Sequence, residues 1–294
     1  MKKYDLDRLR SEKLAKNILL CSAAFLTVVI IALIIFMGQQ GLQTFLDVSP
    51  FEFFFSAKWN PDNGQYGALS FIFGSLLVTF LSILVGGPIG IMGAVFMAKL
   101  APKWMCEIMK PAVNLYMAIP SVVYGFIGLT VVVPAVREYF GVPVGFGIFT
   151  ASFILAIMIL PTVISISTDA LLAVPKMLEE GSVALGATYW QTIWHIVLPA
   201  AKPGIVTAII LGMARAIGET MAVQMVIGNT PRLADSLFSP TSTLPSEIVV
   251  EMGNTPFGST WGNALFLMAL VLLLISLIMI LIVRKISAKK AVEA

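Results

Sequence analysis

The chain has 294 residues, 58% hydrophobic and 12% charged, with a mean hydropathy of +0.93. Soluble domains carry about 25% charged residues, so most of this surface cannot face water and a bilayer is the expected solvent. A formal charge of +3 is too small to indicate a nucleic-acid partner. One histidine (His195) and two cysteines (Cys21 and Cys106) offer no metal-site or disulfide spacing.

Read in chain order, six apolar runs approach the roughly 20 residues that a helix needs to cross about 30 Å of hydrocarbon. They lie near residues 18–37, 69–98, 112–134, 149–172, 204–228 and 261–283. The first has a basic flank like a signal peptide, but it is too long for a signal core and lacks a small-residue cleavage site, so an anchor helix is expected. Between the first two spans, Phe51-Glu52-Phe53-Phe54-Phe55 suits the aromatic belt of a membrane interface. The second span carries Gly86-Gly87-Pro88-Ile89-Gly90, a close-packing glycine face with a proline kink. Pro120 and Pro161 fall in the third and fourth, as hinges or as static packing. Asp169, at the inner end of the fourth, reads as a solvated or capping charge. If the N-terminus is inside, 15 of the 19 Lys and Arg fall in inner segments, three fall outside (Lys58, Arg137, Arg232), and Arg215 lies within a span. The positive-inside rule therefore predicts an all-α membrane protein of six spans with both termini cytoplasmic.

The inner segment 172–203 is not a plain linker. Val183, Leu185, Ile193, Ile196 and Val197 are loosely helical in spacing, Trp190 and Trp194 stand one turn apart, and Gly186 interrupts. Two short helices meeting at Gly186 are expected, ended by Pro199 and Pro203 before the fifth span begins. An apolar, aromatic helix-turn-helix of this kind suits a soluble docking partner, with His195 as a polar residue at that interface. The alternative is an amphipathic loop lying on the membrane surface.

In the fifth span Arg215 and Glu219 stand four residues apart, on one face of a continuous helix. A charge at a span centre costs about 2.5–3.5 kcal/mol on insertion scales, so such residues usually face a bundle interior or a wet path. Arg215 is expected to offer positive potential to an anionic substrate, with Glu219 preventing excessive retention. A helix–helix salt bridge without a transport role is the competing expectation.

Glu180, Gly186-Ala187, Ile196 and Leu198-Pro199 resemble the "EAA" loop of bacterial ABC importer permeases, with Gly181 and Ser182 in place of its two alanines. The stretch from Ala214 to Val223 (Ala-Arg-Ala-Ile-Gly-Glu-Thr-Met-Ala-Val) resembles phosphate importer permeases of the PstC type. So do Trp59-Asn60, Tyr66-Gly67-Ala68-Leu69 and Ile119-Pro120-Ser121-Val122-Val123-Tyr124-Gly125. The resemblance implies a type I ABC importer permease fold in the bacterial inner membrane. It implies a core domain over 68–283, a coupling loop over 172–203, an anchor helix at 18–37, and cytoplasmic segments at 1–17 and 284–294. It places Arg215, Glu219 and Thr220 on the substrate pathway, and Glu180, Gly186, Ala187, Ile196, Leu198 and Pro199 at the ATPase. It also implies a PstA-like second permease, two PstB-like ATPases and an external PstS-like phosphate-binding protein. No Gly-x-x-x-x-Gly-Lys-Ser/Thr loop occurs, so ATP and Mg would be used by the partner ATPase and no cofactor by this chain. Sulfate, molybdate or tungstate remains the alternative cargo. An intramembrane enzyme finds no catalytic motif here, and a passive channel would have no use for a folded docking loop.

Overall fold

Hydrocarbon leaves backbone amides no partner but one another, so spans through it must be helical. The computed structural model describes residues 2–291, and the side chains of 13–285. Basic side chains expected at Lys2, Lys3, Arg8, Arg10, Lys289 and Lys290 therefore lie outside the described residues, as do residue 1 and residues 292–294 of the expected terminal segments. Six helical stretches are long and apolar enough to cross a membrane. Helix α1 (Lys2–Leu42) leads into a short α2 (Pro50–Phe55) and a two-stranded antiparallel ribbon, β1 (Trp59–Asn60) with β2 (Gln65–Tyr66). Helix α3 (Leu69–Val95) is followed by α4 (Lys103–Met117). Helices α5 (Ser121–Ile127) and α6 (Val133–Phe140) are joined by a π-helical turn into one span, Ser121–Phe140. Next come α7 (Ile148–Leu172), α8 (Lys176–Ala184), α9 (Tyr189–Thr192), α10 (Leu198–Ile217), α11 (Met221–Ile227), α12 (Leu244–Met252) and α13 (Thr260–Ala291).

The bundle core is the α3–α7 pair, with α10 laid against both. Gly86 and Gly90 of α3 make this possible: a Cβ at Gly86 would stand 2.9 Å from the Ala156 carbonyl, and one at Gly90 2.7 Å from Val163. Around this contact Ile154, Leu155, Met158 and Ile159 are fully buried against Val78, Ala216 and Val226. Pro88 and Pro161 are carried inside uninterrupted helices. Helix α1 has no fully buried residue in its apolar window and meets the bundle at α13, where Phe36 and Phe266 pack edge to face at 5.5 Å.

Two expectations are corrected by this architecture. The third apolar run, 112–134, begins nine residues before the span it belongs to. Helix α4 ends at Met117, and the chain breaks at Ala118-Ile119-Pro120 because Pro120 disfavours a helical residue before it. The span starts at Ser121 and reaches Phe140, so Pro120 sits at its entrance and not within it. Of the aromatic run at 51–55, Phe53 is a fully buried core residue packed with Trp59, Tyr66, Phe71 and Leu265; Phe51 and Phe55 face outward, stacked at 5.0 Å.

At the end of the bundle formed by 43–68 and 218–259, one carboxylate ties distant segments together. Glu251 accepts hydrogen bonds from the Trp59 indole at 3.0 Å and the Trp261 indole at 2.7 Å. One turn earlier Glu247 is buried outside the six spans. Burial, reinforced by the neighbouring Glu251 charge and partly offset by the Ser242 hydroxyl, pushes its carboxyl from 4.5 up to about 8.

Between those values the folded chain holds a proton that the unfolded chain has released. The Glu247 contribution to stability is thus whole below pH 4.5, falls by up to about 1.4 kcal/mol per pH unit, and is gone above about 8. Thermal denaturation in detergent at pH 6 and pH 8.5 should show that slope, and Glu247→Gln should flatten it.

Candidate functional site

The fifth span is built differently from a plain crossing. Helices α9 and α10 are joined by a π-helical turn at Ile193–Val197 into one helical run, Tyr189–Ile217. The expectation that Pro199 and Pro203 end a separate loop segment is therefore overturned. A proline lacks the amide and crowds the carbonyl four residues back; the wider π turn immediately before Pro199 absorbs that mismatch, and Pro203 is carried inside α10. The helix stops instead at Gly218, and a new one, α11, starts after Thr220.

That break overturns a second expectation, that Arg215 and Glu219 share one helix face. Arg215 lies in the last turn of α10, half-buried, and its Nη1 donates to the Thr162 hydroxyl of α7 at 3.2 Å. Glu219 is engaged elsewhere: its Oε1 accepts the Ala222 amide at 3.2 Å, inside the first turn of α11. The competing expectation, a salt bridge between the two, is not realised either, since the ion pair among the described residues joins Lys99 to Glu179. Both charges instead meet favourable ends of broken helices, a cation at a C-terminus and an anion at an N-terminus. Thr220 bridges the break by donating to the Gly218 carbonyl at 3.3 Å. The signal was present in the sequence: a glycine followed two residues later by a threonine is a stop and a restart. Thr162, the partner of Arg215, carried no signal.

The loop residues gather about 28 Å away along the same helix, taking 1.5 Å per residue from Ile196 to Arg215. Helix α8 and helix α9 meet at Gly186, whose φ of +87° is a left-handed conformation. Thr188 caps α9, its hydroxyl accepting the Gln191 amide while the Gln191 side chain accepts the Thr188 amide. Ser182 and Thr192 hydroxyls meet at 3.0 Å, so the serine standing where the EAA loop has alanine fastens α8 to α9. Lys99, in the π-helical turn Phe96–Leu100 that follows α3, pairs with Glu179, and the Tyr189 hydroxyl donates to the Lys99 carbonyl. Neither contact was foreseen, because nothing local marks residues 80 or 90 positions apart.

The apolar residues of this loop divide into two sets. Ile193 and Val197 are fully buried among Ala94, Val95, Leu171 and Val174, so they anchor the loop rather than offer a docking face. Ile196 and Leu198 are half-buried beside them. Facing outward are Leu185, 91% exposed at the tip, with Met177, Val183, Trp190 and Trp194, the tryptophans packed edge to face at 6.1 Å. Glu180 and Pro199 are exposed, while Ala187, next to the tip, is half-buried. Glu180 shares a groove of about 420 Å³ with Glu179, Val183, Tyr189 and Thr192.

Residues 86–292 match the family described as "Binding-protein-dependent transport system inner membrane component". A Bacillus subtilis protein named "Probable ABC transporter permease protein YqgH" is 50% identical over 266 residues, covering 89% of this chain and 86% of that protein. "Phosphate transport system permease protein PstC" of Xylella fastidiosa is 34% identical over 95% of this chain and 91% of its own length. The PstC of Pasteurella multocida is 37% identical over 82% of each. Among solved structures, a bacterial alginate ABC transporter in complex with a pentasaccharide-bound periplasmic protein superposes with a TM-score of 0.64. It covers 95% of this chain and 96% of that one at 18% identity, which establishes a shared fold.

Gly181 and Gly186 separate backbone strain from packing, because a Cβ at either would meet nothing within 4 Å. Gly181→Ala, inside α8, should leave the loop as stable or up to about 1 kcal/mol more stable. Gly186→Ala should cost about 1–2 kcal/mol of backbone strain. Rates of limited proteolysis within 176–192 should rank the variants in that order.

Proposed function

The chain belongs to the family of binding-protein-dependent transport system inner membrane components, and from Arg215 together with the PstC relatives we propose that it carries inorganic phosphate as one half of the pathway of an ATP-driven importer. It is a permease component of an ABC importer, a multi-pass inner-membrane protein and not an enzyme; ATP hydrolysis belongs to the partner ATPase. A second permease, ATPases and a substrate-binding protein complete such an assembly. We assign these roles to PstA-like, PstB-like and PstS-like subunits, with MgATP used only by the ATPases. The end bearing α8 and α9 is then cytoplasmic, and Leu185, Trp190, Trp194 and Glu180 meet the ATPase.

One observation carries the oxyanion reading. Arg215 lies in the apolar bundle with a single neutral partner, Thr162, and no carboxylate in ion-pair range among the described residues. A guanidinium in that position retains most of its donors for a planar, two-point grip on an oxyanion. The PstC relatives supply the oxyanion's identity. Glu219 and Thr220 shape the break that leaves Arg215 free, so their place on the pathway is to hold the helix ends apart.

In proteoliposomes containing the whole complex, Arg215→Gln should lower labelled phosphate uptake at least tenfold, about 1.4 kcal/mol, and Arg215→Lys should keep part of it. Uptake that is unchanged in Arg215→Gln contradicts the proposal, and so does sulfate competing as well as phosphate. Glu180→Lys should abolish co-purification of the ATPase without loss of the membrane subunits.

A further inference from the structure

A cavity of about 150 Å³ lies where α4 meets the last turns of α7, lined by Lys110, Asn114, Ser165, Thr168 and Asp169 among others. Its volume corresponds to about five waters, or to a small tetrahedral anion with some of its hydration. Lys110 and Asn114 are four residues apart on α4 and so share a face. On α7, Thr162, Ser165 and Asp169 follow at spacings of three and four, one polar stripe along one side. The first residue of that stripe is the partner of Arg215, and the last borders the cavity. Seven residues of helix separate them, about 10 Å. Lys110 and Asp169 line the same space, yet they form no ion pair; the pair among the described residues is Lys99–Glu179. The Thr168 hydroxyl is committed to the Ile164 carbonyl at 2.7 Å, whereas among the described residues no side-chain hydrogen bond occupies Ser165 or Asn114.

Building on the reading of Arg215 as an anion-binding group, we propose that Lys110 is a second cationic station for the same oxyanion, two helical turns nearer the α8–α9 end. Asn114 and Ser165 donate to the anion there, and Asp169 is the counter-charge that displaces it. Conduction needs a site favourable enough to enter and weak enough to leave. A lysine facing an aspartate across a wet cavity meets both needs: the ammonium attracts the anion, and the carboxylate competes for the ammonium once the anion moves on. Arg215, without a carboxylate in range, has no such release device, so a lysine–aspartate station beyond it supplies the step toward the exit.

The test uses the assembled transporter in proteoliposomes, with inorganic phosphate as the probe. Lys110→Gln should lower phosphate uptake about fivefold or more, while Lys110→Arg keeps most of it. Acylation of Lys110 by an amine-reactive reagent, read by peptide mass spectrometry in the nucleotide-free complex, should be slowed by phosphate, and Asp169→Asn should strengthen that protection. Wild-type uptake by Lys110→Gln, with Arg215→Gln still inactive, overturns the station and leaves the reading of Arg215 standing. Normal uptake by Arg215→Gln overturns that reading and the station with it. Equal loss in Lys110→Gln and Lys110→Arg, without phosphate protection, makes Lys110 a structural residue and also overturns the proposal.

Discussion

Within hydrocarbon, each backbone amide and carbonyl must be answered by the protein itself, and an unanswered one costs several kcal/mol. All six spans meet that demand with uninterrupted helical backbone, three of them through π turns. The helix that carries Arg215 ends just beyond its span, at Gly218, and restarts after Thr220. Side chains repair the gap, with the Glu219 carboxylate taking the Ala222 amide and the Thr220 hydroxyl taking the Gly218 carbonyl. Using Glu219 this way removes it as a partner for Arg215, and the guanidinium is left with a neutral hydroxyl. Broken helices at this depth are tolerated where they line protein or a cavity. The repair of the backbone and the availability of the cation are therefore one arrangement.

The helix on the other side of the break is long. Tyr189–Ile217 runs from the α8–α9 turn to the last residues before Gly218 without interruption. Its first turns are held by Ile193 and Val197 in the apolar cluster and by the Tyr189 hydroxyl on Lys99, and its middle packs on α3 and α7. Beyond the short turn at 186–188, a displacement applied at the exposed tip thus reaches Arg215 through continuous helix. At the opposite end, Glu251 of α12 holds Trp59 and Trp261 together and so ties α12 to the ribbon and to α13.

Much of this could be read from the sequence because lipid enforces simple rules. Six apolar runs, the pairing of Gly86 with Gly90 and the turn at Gly186 each follow from one local requirement. The start of the third span is not legible in hydropathy, because the apolar run continues smoothly across Pro120 from α4 into the crossing. The four-residue spacing of Arg215 and Glu219 does not put them on one face, because Gly218 and Thr220 stop and restart the helix. Prolines 199 and 203 read as terminators because a π turn leaves no mark in composition. Contacts such as Trp59 with Glu251, 192 residues apart, have no local signature. The polar stripe of Thr162, Ser165 and Asp169 gains its meaning only when α4 brings Lys110 across from it.

One continuous helix joins the α8–α9 turn to Arg215 beside the break and should move as one body. Double electron–electron resonance on the assembled transporter addresses it directly, with Cys21 and Cys106 replaced and spin labels at pairs of exposed positions. Trp190 and Leu211 both belong to this helix, whereas Phe126 belongs to the third span. On binding ATP, the Trp190–Leu211 separation should stay constant while Trp190–Phe126 changes. A Trp190–Leu211 separation that shifts with nucleotide, or a Trp190–Phe126 separation that does not, contradicts the account.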